Sequence, residues 1–149
     1  MKSLLKLSIL PGLTAAIAMI PYGLVLMNVL KLPINIYGEK TLQLFMVKPT
    51  YIMMFIEHLL ISYIFAIPVI WLMKRFRLYT VSAFVLLLSG AFYGLVIWLV
   101  FNSLLLPLLY HDLSPWKKGW YAMWPSMTAH ILYGFVAAAV GKRLRVAEM

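Results

Sequence analysis

The chain has 149 residues, 64% of them hydrophobic and 11% charged, and its mean hydropathy is +0.95. A soluble domain is about 45–50% apolar and about 25% charged, and a globule of this size could not bury so much apolar surface, which excludes a water-soluble enzyme. The net charge of +9 sits in short clusters between apolar runs, not along one continuous face, which excludes a nucleic-acid binder. The lack of cysteine leaves no residue for disulfides, thiolate metal sites or a lipoprotein anchor.

A helix needs about 20 apolar residues to cross the hydrocarbon core, and four such runs fit the chain. The first covers 4–30, interrupted by Pro11-Gly12 and Pro21, breaks that membrane helices tolerate when neighbours satisfy the freed backbone groups. Lys2, Lys6 and Ala16-Ile17-Ala18 imitate a signal peptide, but the apolar character continues to Leu30, so an uncleaved span is expected. A linker over 31–49 carries Pro33, Gly38, Glu39, Lys40 and Lys48. The second span covers 51–73 and closes in Lys74-Arg75-Phe76-Arg77; the third covers 79–106 and stops near Pro107. A loop over 108–119 holds His111, Asp112, Ser114-Pro115 and Lys117-Lys118, and the fourth span, 120–141, closes in Lys142-Arg143-Leu144-Arg145. The expectation is an all-α polytopic membrane protein of four transmembrane helices, a single integral domain over 1–149.

Basic residues set the orientation. The N-terminus, the middle loop and the C-terminus hold eight Lys and Arg, and the two other loops hold five. Because Lys and Arg near span ends resist translocation, both termini are expected in the cytoplasm of a bacterial inner-membrane protein. Trp116, Trp120, Tyr121 and Trp124 then gather at the outer interface, where amphipathic rings prefer to sit.

The halves of the chain echo each other. Tyr22-Gly23-Leu24-Val25 recurs as Tyr93-Gly94-Leu95-Val96, Pro33 as Pro107, His58-Leu59-Leu60 as His130-Ile131-Leu132, and the basic ends likewise, at offsets of 71, 74, 72 and 68 residues. This suggests a tandem repeat of two helical hairpins, units 4–77 and 79–145, related by an axis along the membrane normal.

Polar groups inside apolar spans mark the candidate site. His58 shares a helical row with Ser62 and Ala66, and His130 one with Gly134 and Ala138, so each imidazole is expected on a packing face lined by small residues. Three readings stay open for the pair. They are neutral rings hydrogen-bonded to backbone, Asn28, Asn102 or each other; a proton-linked or pH-sensing device; or a metal or b-type haem held by two His on different helices. Glu57, about 9 Å inside the second span, is read as an interfacial acid that snorkels, pairs with Lys48 or serves a proton path with His58 and His130. Gly90 and Gly94 form a GxxxG that allows close helix contact within the chain or between chains. The 10 methionines are scattered and read as adaptable packing. His111-Asp112 could meet a metal transiently, but a turn around Ser114-Pro115 explains the segment.

Residues 51–145 resemble the YagU and YqhR type of small bacterial inner-membrane proteins. The similar stretches are His58-Leu59-Leu60-Ile61-Ser62, Phe92-Tyr93-Gly94-Leu95-Val96-Ile97-Trp98, Leu106-Pro107-Leu108-Leu109, Leu113-Ser114-Pro115-Trp116 and His130-Ile131-Leu132-Tyr133-Gly134, followed by basic residues. The first loop is shorter than in YagU-like members. The resemblance implies a polytopic inner-membrane protein without catalytic residues. The residues point to no enzyme and call for no cofactor or metal. The leading expectation is an accessory or packing protein in the lipid bilayer, acting through a membrane partner or homo-oligomer. A proton-linked small-solute carrier or pH-responsive protein using Glu57, His58 and His130 is the alternative, and a bis-His haem or metal protein the second.

Overall fold

The computed structural model describes residues 4–32 and 38–144; Lys2, Pro33 and Arg145 lie outside them. Among the described residues every regular element is helical. Four helices are long and apolar enough to cross a membrane: Leu4–Val29, Tyr51–Arg75, Ala83–Leu109 and Trp120–Arg143. The protein is thus a helical membrane protein of four spans.

Local chemistry sets most of the boundaries. Thr50 caps the second span, its side chain accepting the Met53 N–H at 3.2 Å. Ser82 caps the third by accepting the Val85 N–H at 3.3 Å. That cap moves the start of the third span from the expected residue 79 to Ala83. The same span does not stop at Pro107. After Ile97 it widens into a π-helix, Trp98–Leu105, and then runs on as the α-helical turn Leu106–Leu109. Pro107 is tolerated there because it stands at the start of that last turn, where its missing N–H costs little. The first span also ends in a π-helical turn, Val25–Val29. Lys74-Arg75 and Lys142-Arg143 close the second and fourth spans, cations opposite the negative ends of the helix dipoles.

The connections hold more order than the sequence suggests. The linker contains a helix, Gly38–Leu44, and the second loop a single turn, Pro115–Lys118. Four helix ends close on a left-handed residue that is not glycine: Lys31 at φ 53°, Met46 at 58°, Arg77 at 50° and His111 at 51°. The next residue bonds back in each case: Leu32 N–H to the Leu26 carbonyl at 3.0 Å, Val47 to Leu42 at 2.9 Å, Leu78 to Met73 at 3.0 Å and Asp112 to Pro107 at 2.9 Å. Gly119, at φ 89° and ψ 174°, joins the short turn to the fourth span in backbone space essentially reserved for glycine.

The first and fourth spans pack along each other in the middle of the bundle. The second span lies against the first, and the third against the fourth. The core combines Ala15, Val69, Ile70, Met73, Leu86 and Ala137. Side chains such as Leu60 and Ile64, each 57% exposed, and Phe92, 68% exposed, point away from it, as a lipid-facing surface requires. A tandem repeat is not shown. An axis relating the two hairpins would make the second and third spans pack as closely as the first and fourth, and their backbones do not.

Candidate functional site: an intramembrane polar network

The half of the bundle nearest Gly119 carries most of the intramembrane polar side chains. His58 stands about 10 Å into the second span, and His130 about 15 Å into the fourth, at 1.5 Å per residue from their helix starts. The expected rows are packing faces: Ser62, Ala66, Gly134 and Ala138 are all buried. His58 Nε2 lies 3.3 Å from the Ala16 carbonyl of the first span. His130 Nδ1 lies 2.7 Å from the Ser126 carbonyl, one turn back on its own helix. Since a carbonyl only accepts, each of these nitrogens must donate, which gives the two rings opposite neutral tautomers.

The other sequence candidates divide. Asn102 is buried at 6% exposure and its Oδ1 has no hydrogen-bond partner. Asn28 is exposed on the π-helical end of the first span and bonds neither imidazole, so it is not the histidine partner the sequence offered. Glu57 is half-buried, and among the described residues it forms no ion pair; the pairing with Lys48 is absent. As neighbours on one helix, Glu57 and His58 point in different directions. Gly90, Gly94, Gly134 and Ala138 meet within the chain. A Cβ at Gly94 would land on the His130 carbonyl, and one at Gly134 on the Gly90 carbonyl.

Several residues that sequence reasoning did not assign a role complete the network. Tyr22 Oη donates to Thr128 Oγ1 at 2.7 Å, joining the first and fourth spans. Tyr93 Oη donates to the Phe65 carbonyl at 2.7 Å, joining the third and second. Tyr133 Oη donates to the Ser62 carbonyl, joining the fourth and second, and Trp98 Nε1 donates to Ser126 Oγ at 2.8 Å, joining the third and fourth. With His58, five of the six pairs of spans are tied by a side-chain hydrogen bond, and only the first and third lack one among the described residues. The readable signal was tyrosine and tryptophan in mid-span: when buried, their polar tips need a partner.

Outside the spans, Asp112 lies between Lys118 Nζ at 3.0 Å and Lys40 Nζ at 3.2 Å, tying the two loops together. The Lys118 hydrogen bond first, then the Leu113 N–H and Lys40, outweigh partial burial and hold the Asp112 carboxyl down to about 2. Thr41 Oγ1 and Tyr110 Oη add a second tie at 2.8 Å. Among the described residues no three His, Asp or Glu gather as a metal site. The cavity beside Met73 and Gly90 and the cleft beside Ser103 are lined by neither His58 nor His130. Comparison with known proteins gave no match to a family model, a curated protein or a solved structure.

Proposed function

We propose that this is a non-enzymatic accessory or packing protein of a bacterial inner membrane, working through a membrane partner or as a homo-oligomer. The observation that carries the reading is the use made of the intramembrane polar groups. Five pairs of spans are joined by side-chain bonds, and each intramembrane imidazole is engaged with a backbone carbonyl. A carrier needs a path that water or solute can enter, and a bis-His haem needs room between its ligands. The resemblance of residues 51–145 to the YagU and YqhR type agrees with this role. The preference of Lys and Arg for the cytoplasmic side supports placing Lys74, Arg75, Arg77, Lys142 and Arg143 there, with both termini. Trp116, Trp120 and Tyr121, exposed at the opposite end, suit the outer interface.

The test is the mass of the purified protein in mild detergent, with its absorption spectrum. A defined homo-oligomer or a stoichiometric complex with a second membrane protein, colourless in either case, is the expected result. A monomer that drives solute uptake in vesicles under a proton gradient, or a haem absorption band, would overturn the reading.

A further inference from the structure

A cleft of about 310 Å³ opens at the loop end of the third span, at the small end of the range for ligand sites. Its lining combines two chemistries. Leu104, Leu108 and Leu113 supply apolar lining and are 56%, 74% and 55% exposed. His111, Ser114 and Lys117 supply polar lining. Asp112 also borders the cleft, but its charge is already met by Lys40 and Lys118, whereas Lys117 has no ion-pair partner among the described residues. The unmet charge in the lining is therefore positive.

Ser103 supplies a second, independent observation. It borders the same cleft, is 1% exposed, and its Oγ has no hydrogen-bond partner. Ser8 and Ser89, in regular α-helix, satisfy their hydroxyls on the carbonyls of Leu4 and Val85, each at 2.8 Å. Ser103 sits in the π-helical stretch, makes no such bond, and keeps a free donor. One cleft lined by an unpaired hydroxyl, an ammonium without an ion-pair partner and three exposed leucines suits a ligand with an anionic head, acceptor oxygens next to it and an apolar tail.

We infer that this cleft binds the headgroup and glycerol region of one phospholipid. The phosphate lies against Lys117, an ester or phosphate oxygen accepts from Ser103, and an acyl chain follows Leu104 and Leu108. Trp116, Trp120 and Tyr121, exposed at the same end, place the cleft at headgroup depth. A free phosphate would have no use for the leucines.

The test is native mass spectrometry of the full chain, released from mild detergent after addition of phosphatidylglycerol, diacylglycerol or inorganic phosphate. The expected result is a one-to-one phosphatidylglycerol adduct, with little retention of diacylglycerol and none of phosphate. Loss of a hydrogen bond to a charged group should weaken the adduct about tenfold in Lys117→Glu, with a smaller loss in Lys117→Gln and Ser103→Ala and none in Arg75→Gln at the other end of the bundle. Lys117 is exposed, and unchanged elution of its variants checks that they fold. Equal retention by wild type and both Lys117 variants, diacylglycerol bound as well as phosphatidylglycerol, or phosphate bound without lipid would each overturn the inference.

Discussion

The two helical hairpins have the same connectivity and similar basic closing sequences, yet they are held together differently. In the second, Gly90, Gly94 and Gly134 bring the third and fourth spans into backbone contact, leaving no room for a methyl group at any of the three. In the first, Gly12 alone makes the close approach. A Cβ there would meet Tyr63 Cα at 2.8 Å, Ser62 O at 3.0 Å and Ala66 Cβ at 3.1 Å, and the His58 bond to Ala16 helps hold the pair. Helices in lipid gain little from the hydrophobic effect, so close packing and interhelical hydrogen bonds must hold them. The second hairpin adds the 2.8 Å Trp98–Ser126 bond to three close glycine contacts, whereas the first combines one such contact with the longer 3.3 Å bond of His58.

The largest expected effects come from filling the tighter crossing. Gly94→Ala and Gly134→Ala should each destabilise the protein by about 1–3 kcal/mol, because a carbonyl oxygen cannot move aside as a flexible side chain can. Gly12→Ala should fall at the low end of that range. Denaturant unfolding in detergent, followed by helical circular dichroism, gives the ranking, and equal losses at all three positions would erase the contrast. Gly119→Ala, outside both crossings, should cost about 1–3 kcal/mol through backbone strain alone, with helix content unchanged in the folded protein.

Smaller losses should follow from single hydrogen bonds. Tyr133→Phe and Tyr22→Phe, which untie one hairpin from the other, should each cost about 0.6 kcal/mol and at most about 1.7 kcal/mol in the same unfolding measurement. The smallest effect belongs to the loops. Asp112→Asn removes an exposed ion-pair cluster worth less than about 1 kcal/mol. The carboxyl is held below its ordinary value of 3.8, so its contribution is fully present above that pH and is lost as pH falls through about 2. A carboxyl NMR titration showing Asp112 protonating near its ordinary value would break the proposed tie between the loops.

The four spans were legible because each is a long apolar run, a requirement the bilayer imposes on sequence directly. Their ends were less so. Tyr79 and Val81 are apolar enough to pass for helix, but the Ser82 side chain settles the start, and Pro107 stops nothing because a π-helical stretch resets the turn before it. The Gly38–Leu44 helix buries only Leu42, too little to leave a periodic signal. The turns escaped notice because Lys31, Met46, Arg77 and His111 occupy positions where glycine is the usual sign. Of the site, the packing faces of His58 and His130 followed from helical spacing, since small residues at i+4 and i+8 mark a close neighbour. The partners of His58, Tyr22 and Tyr133 did not, because Ala16, Thr128 and Ser62 reach them only through the arrangement of helices in space, unlike Ser126, one turn before His130 on the same helix. Repeated words such as Tyr22-Gly23 and Tyr93-Gly94 likewise fixed no symmetry. Tyr22 reaches a threonine and Tyr93 a backbone carbonyl.

The account rests on imidazoles that serve as neutral hydrogen-bond donors between and along helices. The chain has 3 histidines, few enough for each ring to be resolved by ¹⁵N NMR of the full-length protein in lipid bilayers at neutral pH. The structure requires His58 protonated at Nε2 and His130 protonated at Nδ1. The same tautomer in both rings, or a doubly protonated ring at either position, would contradict it.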